Sequence, residues 1–191
     1  MQRPVETQRV EENDSALAHR AASGETDAFE NLVRLHRPKL LRFLWAYLGN
    51  FSDAEDLVQD TFARAYSALH KYDHKQSFTT WLFVIGRRLA ANEKRRIGRQ
   101  RKREAELEVP QEVEAVYPEF DSGSIWAAAK NILPENSYAA MWLHYGENQS
   151  VKEIAQILGK SVTGVKVTLH RARRTLASEI DPDLVGERID R

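Results

Sequence analysis

Across residues 29–48 the apolar side chains return every three or four positions: Phe29, Leu32, Val33, Leu40, Phe43, Leu44, Tyr47 and Leu48. A helix gathers residues at that spacing onto one face, whereas a half-buried strand would need strict alternation. The spacing returns in Leu57, Val58, Phe62, Ala65, Tyr66 and Leu69, and no stretch of the chain alternates convincingly. An all-α fold is therefore expected. Stripes of this kind must bury one another, so the first part of the chain should form a helical bundle.

Start and stop signals divide the rest. Asp27 with Glu30, Ser52 with Glu55 and Ser150 with Glu153 have capping-box spacing, and Ser161 can cap the last helix. Gly24, Gly49 and Gly159 stand where helices should end, and Pro38 is expected to kink or interrupt its helix. Residues 104–121 carry seven Asp or Glu and no Lys or Arg, with Pro110, Pro118 and no regular period. They read as a flexible linker. The expected layout is a tail (1–13), a helical bundle (14–100), an acidic linker (101–121), a second helical domain (122–180) and a tail (181–191).

The chain has 28 basic and 28 acidic residues, a balance that taken whole argues against nucleic acid. Its distribution argues the other way. Residues 86–103 hold nine Lys or Arg against the single acid Glu93, and Lys166, Arg171, Arg173 and Arg174 form a second basic cluster. Segregated charge points to separate partner surfaces, against the plainer reading of solvated faces. The acidic linker could fold back onto the basic helix end before it, or simply remain solvated.

Several classes are set aside. There is no cysteine, so no disulfide framework and no thiolate metal site. No apolar run approaches the roughly 20 residues of a membrane span, and the N-terminus lacks a signal-peptide core, so a cytoplasmic protein without membrane insertion is expected. His70 and His74 are four apart with Asp73 between, but they follow Leu69 at a helix end that should fray. The other histidines are scattered, and no phosphate loop or nucleophile motif occurs. No enzyme, cofactor or metal site is expected.

Three segments carry the functional signal. "SDAEDLVQDTFARAY" (52–66) lines up Asp53, Glu55, Asp56, Gln59 and Asp60 on a helix that is otherwise apolar. Phosphates would repel that row, which suits either solvation or a basic protein partner. "FTTWLFVIGRRLAANEKRR" (78–96) joins a packing stripe, Trp81, Ile85 and Leu89 beside Phe78 and Leu82, to Arg87, Arg88, Lys94, Arg95 and Arg96. Aromatics beside arginines suit unpaired bases, and Trp81 fits either core or base contact. "SVKEIAQILGKSVTGVKVTLHRARRTL" (150–176) has helix-turn-helix spacing: Ile154, Ala155 and Leu158 would meet Val165 and Leu169 across the Gly159 turn. A helical hairpin without DNA shares much of that pattern. On the second helix Lys166, Thr168 and His170 are candidates for base edges; Arg171, Arg173 and Arg174 suit phosphates, and Arg171 could do both.

Together these segments resemble the bacterial extracytoplasmic-function (ECF) sigma factors. "DAEDLVQDTFARAY" is similar to the family's region 2.2, and "FTTWLFVIGRRLAANEKRR" to the stretch that melts DNA and reads the −10 element. "LPENSYAAMWLHYGENQSVKEIAQILG" and "VKVTLHRARRTL" are similar to region 4, which reads the −35 element. The resemblance implies an N-terminal region 2 domain and a C-terminal region 4 domain joined by the linker. It implies core RNA polymerase (the β′ clamp helices and the β flap), promoter DNA and an anti-sigma factor as partners. It also places the −10 and melting residues at Tyr72, Lys75, Phe78, Trp81, Arg87, Arg88, Asn92, Arg95 and Arg96, with a base pocket in the loop 72–77. The −35 residues become Lys166, Val167, Thr168, His170, Arg171, Arg173 and Arg174.

The chain departs from the family in places. Arg88 and Asn92 stand where Asn and Asp are usual, Thr163-Gly164 inverts a Gly-Thr, and Val167-Thr168 replaces a Ser-Arg pair. The last change removes a phosphate or base contact the family would supply. A helix-turn-helix regulator outside the sigma family would explain residues 150–176 but neither the acidic row nor the 78–96 helix.

Overall fold

The computed structural model describes residues 5–73, 75–104 and 125–179, with side chains described from Asp14 and, in the helix that passes residue 100, as far as Gln100. Residues 1–4, His74, 105–124 and 180–191 lie outside the described residues, and with them most of the acidic segment; the expected tail (1–13) is instead helical from Val5, and α4 runs past the expected linker start at 101 to Glu104.

Every regular element among the described residues is helical. Helices α1 (Val5–Ala22), α2 (Thr26–Leu48), α3 (Phe51–Ala68) and α4 (Phe78–Glu104) form the first group, with a 3₁₀ turn at Leu69–Lys71. Helices α5 (Ile125–Ile132), α6 (Glu135–Met141), α7 (Val151–Leu158) and α8 (Val162–Glu179) form the second, with a π-helical turn at Trp142–Gly146. Leu32, Leu40, Phe43 and Leu44 from α2 meet Leu57, Val58 and Phe62 from α3 and Leu82 and Phe83 from α4 in a core closed to water. Each such side chain contributes roughly 1.5–3 kcal/mol by leaving water. Gly86 lets α4 cross α2 closely, since a Cβ there would stand 3.0 Å from Leu40 Cδ1.

Local chemistry differs from expectation at three places. Asp27 lies inside the first turn of α2, whose N-cap is Glu25 without a side-chain bond. The Asn50 side chain, not Ser52, caps α3 by accepting from the Asp53 amide at 3.1 Å. Pro38 leaves α2 unbroken; it is exposed, so the carbonyl it cannot serve faces water. Ser150 and Glu153 do form the expected capping box, and the Ser161 hydroxyl accepts from the Gly164 amide at 3.0 Å.

The two groups of helices pack on each other. Helix α7 lies against α4 and α6 against α2. The π turn delivers Glu147 and Gln149 to the bundle: Gln149 Oε1 accepts from the buried Thr80 hydroxyl at 3.3 Å, and the Glu147 carboxylate meets Lys39 at 3.5 Å. Lys94 pairs with Glu135. Lys130 Nζ lies 3.1 Å from the centre of the Trp45 ring, and Arg42 covers the Trp142 ring. Nothing in the sequence signalled packing between the two groups; the described helices share one continuous core.

Candidate nucleic-acid interface

The acidic row sits on α3 opposite its buried face of Ala54, Leu57, Val58, Thr61, Phe62 and Ala65. Asp56, Gln59 and Asp60 are exposed, while Asp53 and Glu55 are half-buried. Glu55 stands 3.8 Å from Arg37. The helix thus brings the five residues onto one side, with Asp56 and Asp60 one turn apart at its centre.

The α4 residues divide. Tyr72 and Phe78, which the resemblance assigns to DNA, lie in the core at 6% and 1% exposure, Phe78 within the stripe expected to pack. Their rings meet edge to face at 5.6 Å, and the Tyr72 hydroxyl donates to the Gln76 carbonyl at 2.7 Å. Neither ring can stack on a base without unpacking. Phe78 also packs on the His36 ring, whose Nε2 lies 2.9 Å from Asp14 in a pair closed to water. The inward stripe is rotated from the one expected: Leu82, Phe83, Leu89 and Ala90 are buried, while Trp81 and Ile85 are only half-buried. Trp81 rests on Tyr72 and Phe78 and keeps a partly open face. In the 72–77 loop, Lys75 is exposed and its amide donates to Asp73 Oδ1.

Beyond Trp81 the outer face of α4 is cationic. Arg88, Asn92, Arg95 and Arg96 are exposed. Arg95 reaches back to Asn92 Oδ1 at 2.5 Å, and the two line an open groove with Arg99, a residue outside the expected −10 set. Arg96 pairs with Glu93 at 2.5 Å, and that hydrogen bond holds the Glu93 carboxyl below its ordinary range.

On α8, Val165, Leu169, Ala172 and Leu176 are buried. Lys166, Val167, His170, Arg171, Arg173 and Arg174 are exposed, and Arg171 and Arg174 share a shallow groove with Thr175 and Ser178. This is the arrangement of a helix-turn-helix whose second helix faces solvent.

Comparison with known proteins matches both halves. Sigma-70 region 2 matches residues 32–100 and Sigma-70 region 4 matches residues 126–176. The ECF RNA polymerase sigma factor SigW of Bacillus subtilis is 29% identical over 177 residues, covering 82% of this chain and 91% of the relative. The ECF RNA polymerase sigma-E factor of Haemophilus influenzae is 28% identical over 185 residues, covering 88% and 96%. The chain belongs to the ECF sigma factors. Among solved structures, the sigma factor RpoE of Bartonella quintana, in complex with the anti-sigma factor NepR, superposes with a TM-score of 0.65 at 25% identity, covering 85% of this chain and 98% of that one.

In this sigma factor the packing of the two halves takes up one residue of the expected DNA set. Arg87 is half-buried under the helix-turn-helix: a Cβ at Gly159 would come within 3.1 Å of its Nη1. Gly159 also holds φ +61, a left-handed value that other residues adopt at a cost. The Thr168 hydroxyl donates to the Gly164 carbonyl at 2.9 Å along the helix. Arg173 contacts the Tyr145 hydroxyl at 3.3 Å. The cross-contacts of Thr80, Lys39 and Arg42 with Gln149, Glu147 and Trp142 were not anticipated from the sequence. Among the described residues, no group of three or more His, Asp or Glu is placed to hold a metal, and no helix is long and apolar enough to cross a membrane.

Proposed function

We propose that this sigma factor docks core RNA polymerase on the α3 face, through Asp53, Glu55, Asp56, Gln59 and Asp60, and reads DNA with α4 and α8. The region 2 domain (14–100) would take the −10 strand on Lys75, Trp81, Arg88, Asn92, Arg95 and Arg96. The region 4 domain (122–180) would take the −35 duplex on α8. The carrying observation is the separation of one acidic and two cationic faces on a single helical chain. The β′ clamp helices and β flap are the polymerase surfaces we assign, and the cytoplasm is where such an assembly works. By analogy with the RpoE complex, an anti-sigma factor is a further partner. Binding, rather than side-chain chemistry, does the work.

The packed arrangement then has to open. By their names the two elements lie about 25 base pairs apart, roughly 85 Å at 3.4 Å per step. A packed chain of this length has a radius of gyration of about 16 Å, so it cannot hold both elements at once. Helices α5–α8 must leave α1–α4, which also frees Arg87 for the −10 strand. The test is to reconstitute core polymerase with the protein and sequence transcript 5′ ends from genomic DNA. Shared upstream elements at two fixed spacings support the reading. Start sites no different from those of core polymerase alone would refute it.

A further inference from the structure

The four buried residues of α8 define an inward stripe, and at 100° per residue Val167 lies about 180° from the centre of that stripe. It is 43% exposed, among the most open large apolar side chains of the described residues. Its neighbours one turn either way are Thr163, Gly164, His170 and Arg171, and Arg174 lies two turns on. An apolar side chain thus stands at the middle of the cationic face that would enter the major groove. It adds nothing to the core. Gly164 beside it presents no side chain, which lets the first turns of α8 come close to a groove floor.

The major groove offers one apolar group on its base edges, the C5-methyl of thymine. We infer that Val167 is a specificity residue that packs against a thymine methyl in the −35 element. The inference rests on the proposed −35 role of α8 and names what one position of it selects. Hydrogen-bonding readout then falls mainly to Lys166, His170 and Arg171, the exposed polar side chains around Val167.

Deoxyuridine is thymidine without that methyl and pairs in the same way, so it isolates the contact. The holoenzyme, full chain plus core polymerase, is bound to a promoter duplex mapped by the transcript experiment. Each −35 thymine on either strand is replaced singly by deoxyuridine. One position should lower affinity about fourfold, the value of one buried methyl, and the others should not matter. Val167→Ala should bind the thymine duplex about as weakly as the wild type binds the uridine one, and show no uridine effect. Its melting temperature should match the wild type, which separates readout from folding. Two results overturn the inference: no uridine-sensitive position in the wild type, or a uridine effect of the same size in Val167→Ala. Failure of the wild-type holoenzyme to prefer the mapped −35 sequence over a scrambled one would refute the sigma reading itself, before any uridine comparison.

Discussion

The Thr80 hydroxyl donates to Gln149 Oε1 at 3.3 Å, joining residues 69 positions apart and fixing the start of α4 to the segment that precedes the helix-turn-helix. Because Thr80 is buried there, the contact exists only while the two halves are packed. The chain has no cysteine, so Lys94→Cys with Glu135→Cys, an open pair across the same packing, gives a clean attachment pair. Joined by a short bis-maleimide, the protein should lose nearly all promoter-specific transcription, while the unjoined pair stays close to wild type. Full activity of the joined form would mean that the halves need not part.

Docking on α3 predicts a charge effect without a folding effect. Asp56 and Asp60 are exposed and point away from the buried stripe. Asp56→Lys with Asp60→Lys should weaken capture of core polymerase by at least about tenfold, since like charges across an interface cost several kcal/mol. Helical content by circular dichroism should be unchanged. Co-purification at wild-type level would remove the acidic row from the docking surface.

The two faces of α4 should fail in different ways. Leu82 is closed to water, and Leu82→Asp places an unpaired carboxylate in the core at a cost of several kcal/mol against a total of about 5–15. That variant should be largely unfolded. Arg88 and Arg95 are exposed, and replacing each by Ala should change stability by no more than about 0.5 kcal/mol. Permanganate reactivity of −10 thymines should nevertheless fall sharply in the double variant, while closed binding partly survives. Undiminished reactivity would assign strand capture to Lys75 and Trp81.

Glu147 predicts a pH effect. Burial pushes its carboxyl above the ordinary range, and the nearby Lys39 only partly opposes this. The packed form therefore holds a proton that the unfolded chain has already lost. Stability from this group rises as pH falls through the window just above the ordinary glutamate value, and is lost as pH rises through it. Glu147→Gln removes the charge, so the variant should be at least as stable as wild type near neutrality, with the gap closing on acidification. Thermal melts of both between about pH 4 and 7 would show this. A gap that widens in acid would contradict the burial argument.

Much of this was legible in the sequence, for local reasons. Helical spacing and the Ser150–Glu153 box are set by residues within a turn of one another. The same S-x-x-E rule misplaced the start of α3, because Ser52 and Glu55 also match it. There, packing decided: Phe51 meets the Trp45 ring edge to face at 6.4 Å, which draws it into the first turn and leaves the cap to Asn50. Burial of Phe78 follows from the packing stripe, whereas burial of Tyr72 was hidden because it lies in the turn before α4, outside any helical period. Least legible was the packing of the two halves. Arg87 against Gly159 and Lys39 against Glu147 have no periodicity to announce them, and each residue fits an exposed face when read alone.

If one chain joins polymerase to two promoter elements at once, transcription in vitro from a mapped promoter will show it, with core polymerase alone or with the protein, on templates whose −10 or −35 element is scrambled. No specific start is expected from core alone, one start with the protein, and loss of that start when either element is scrambled. Specific DNA binding without any polymerase start, or a start indifferent to the −10 sequence, would contradict such joining.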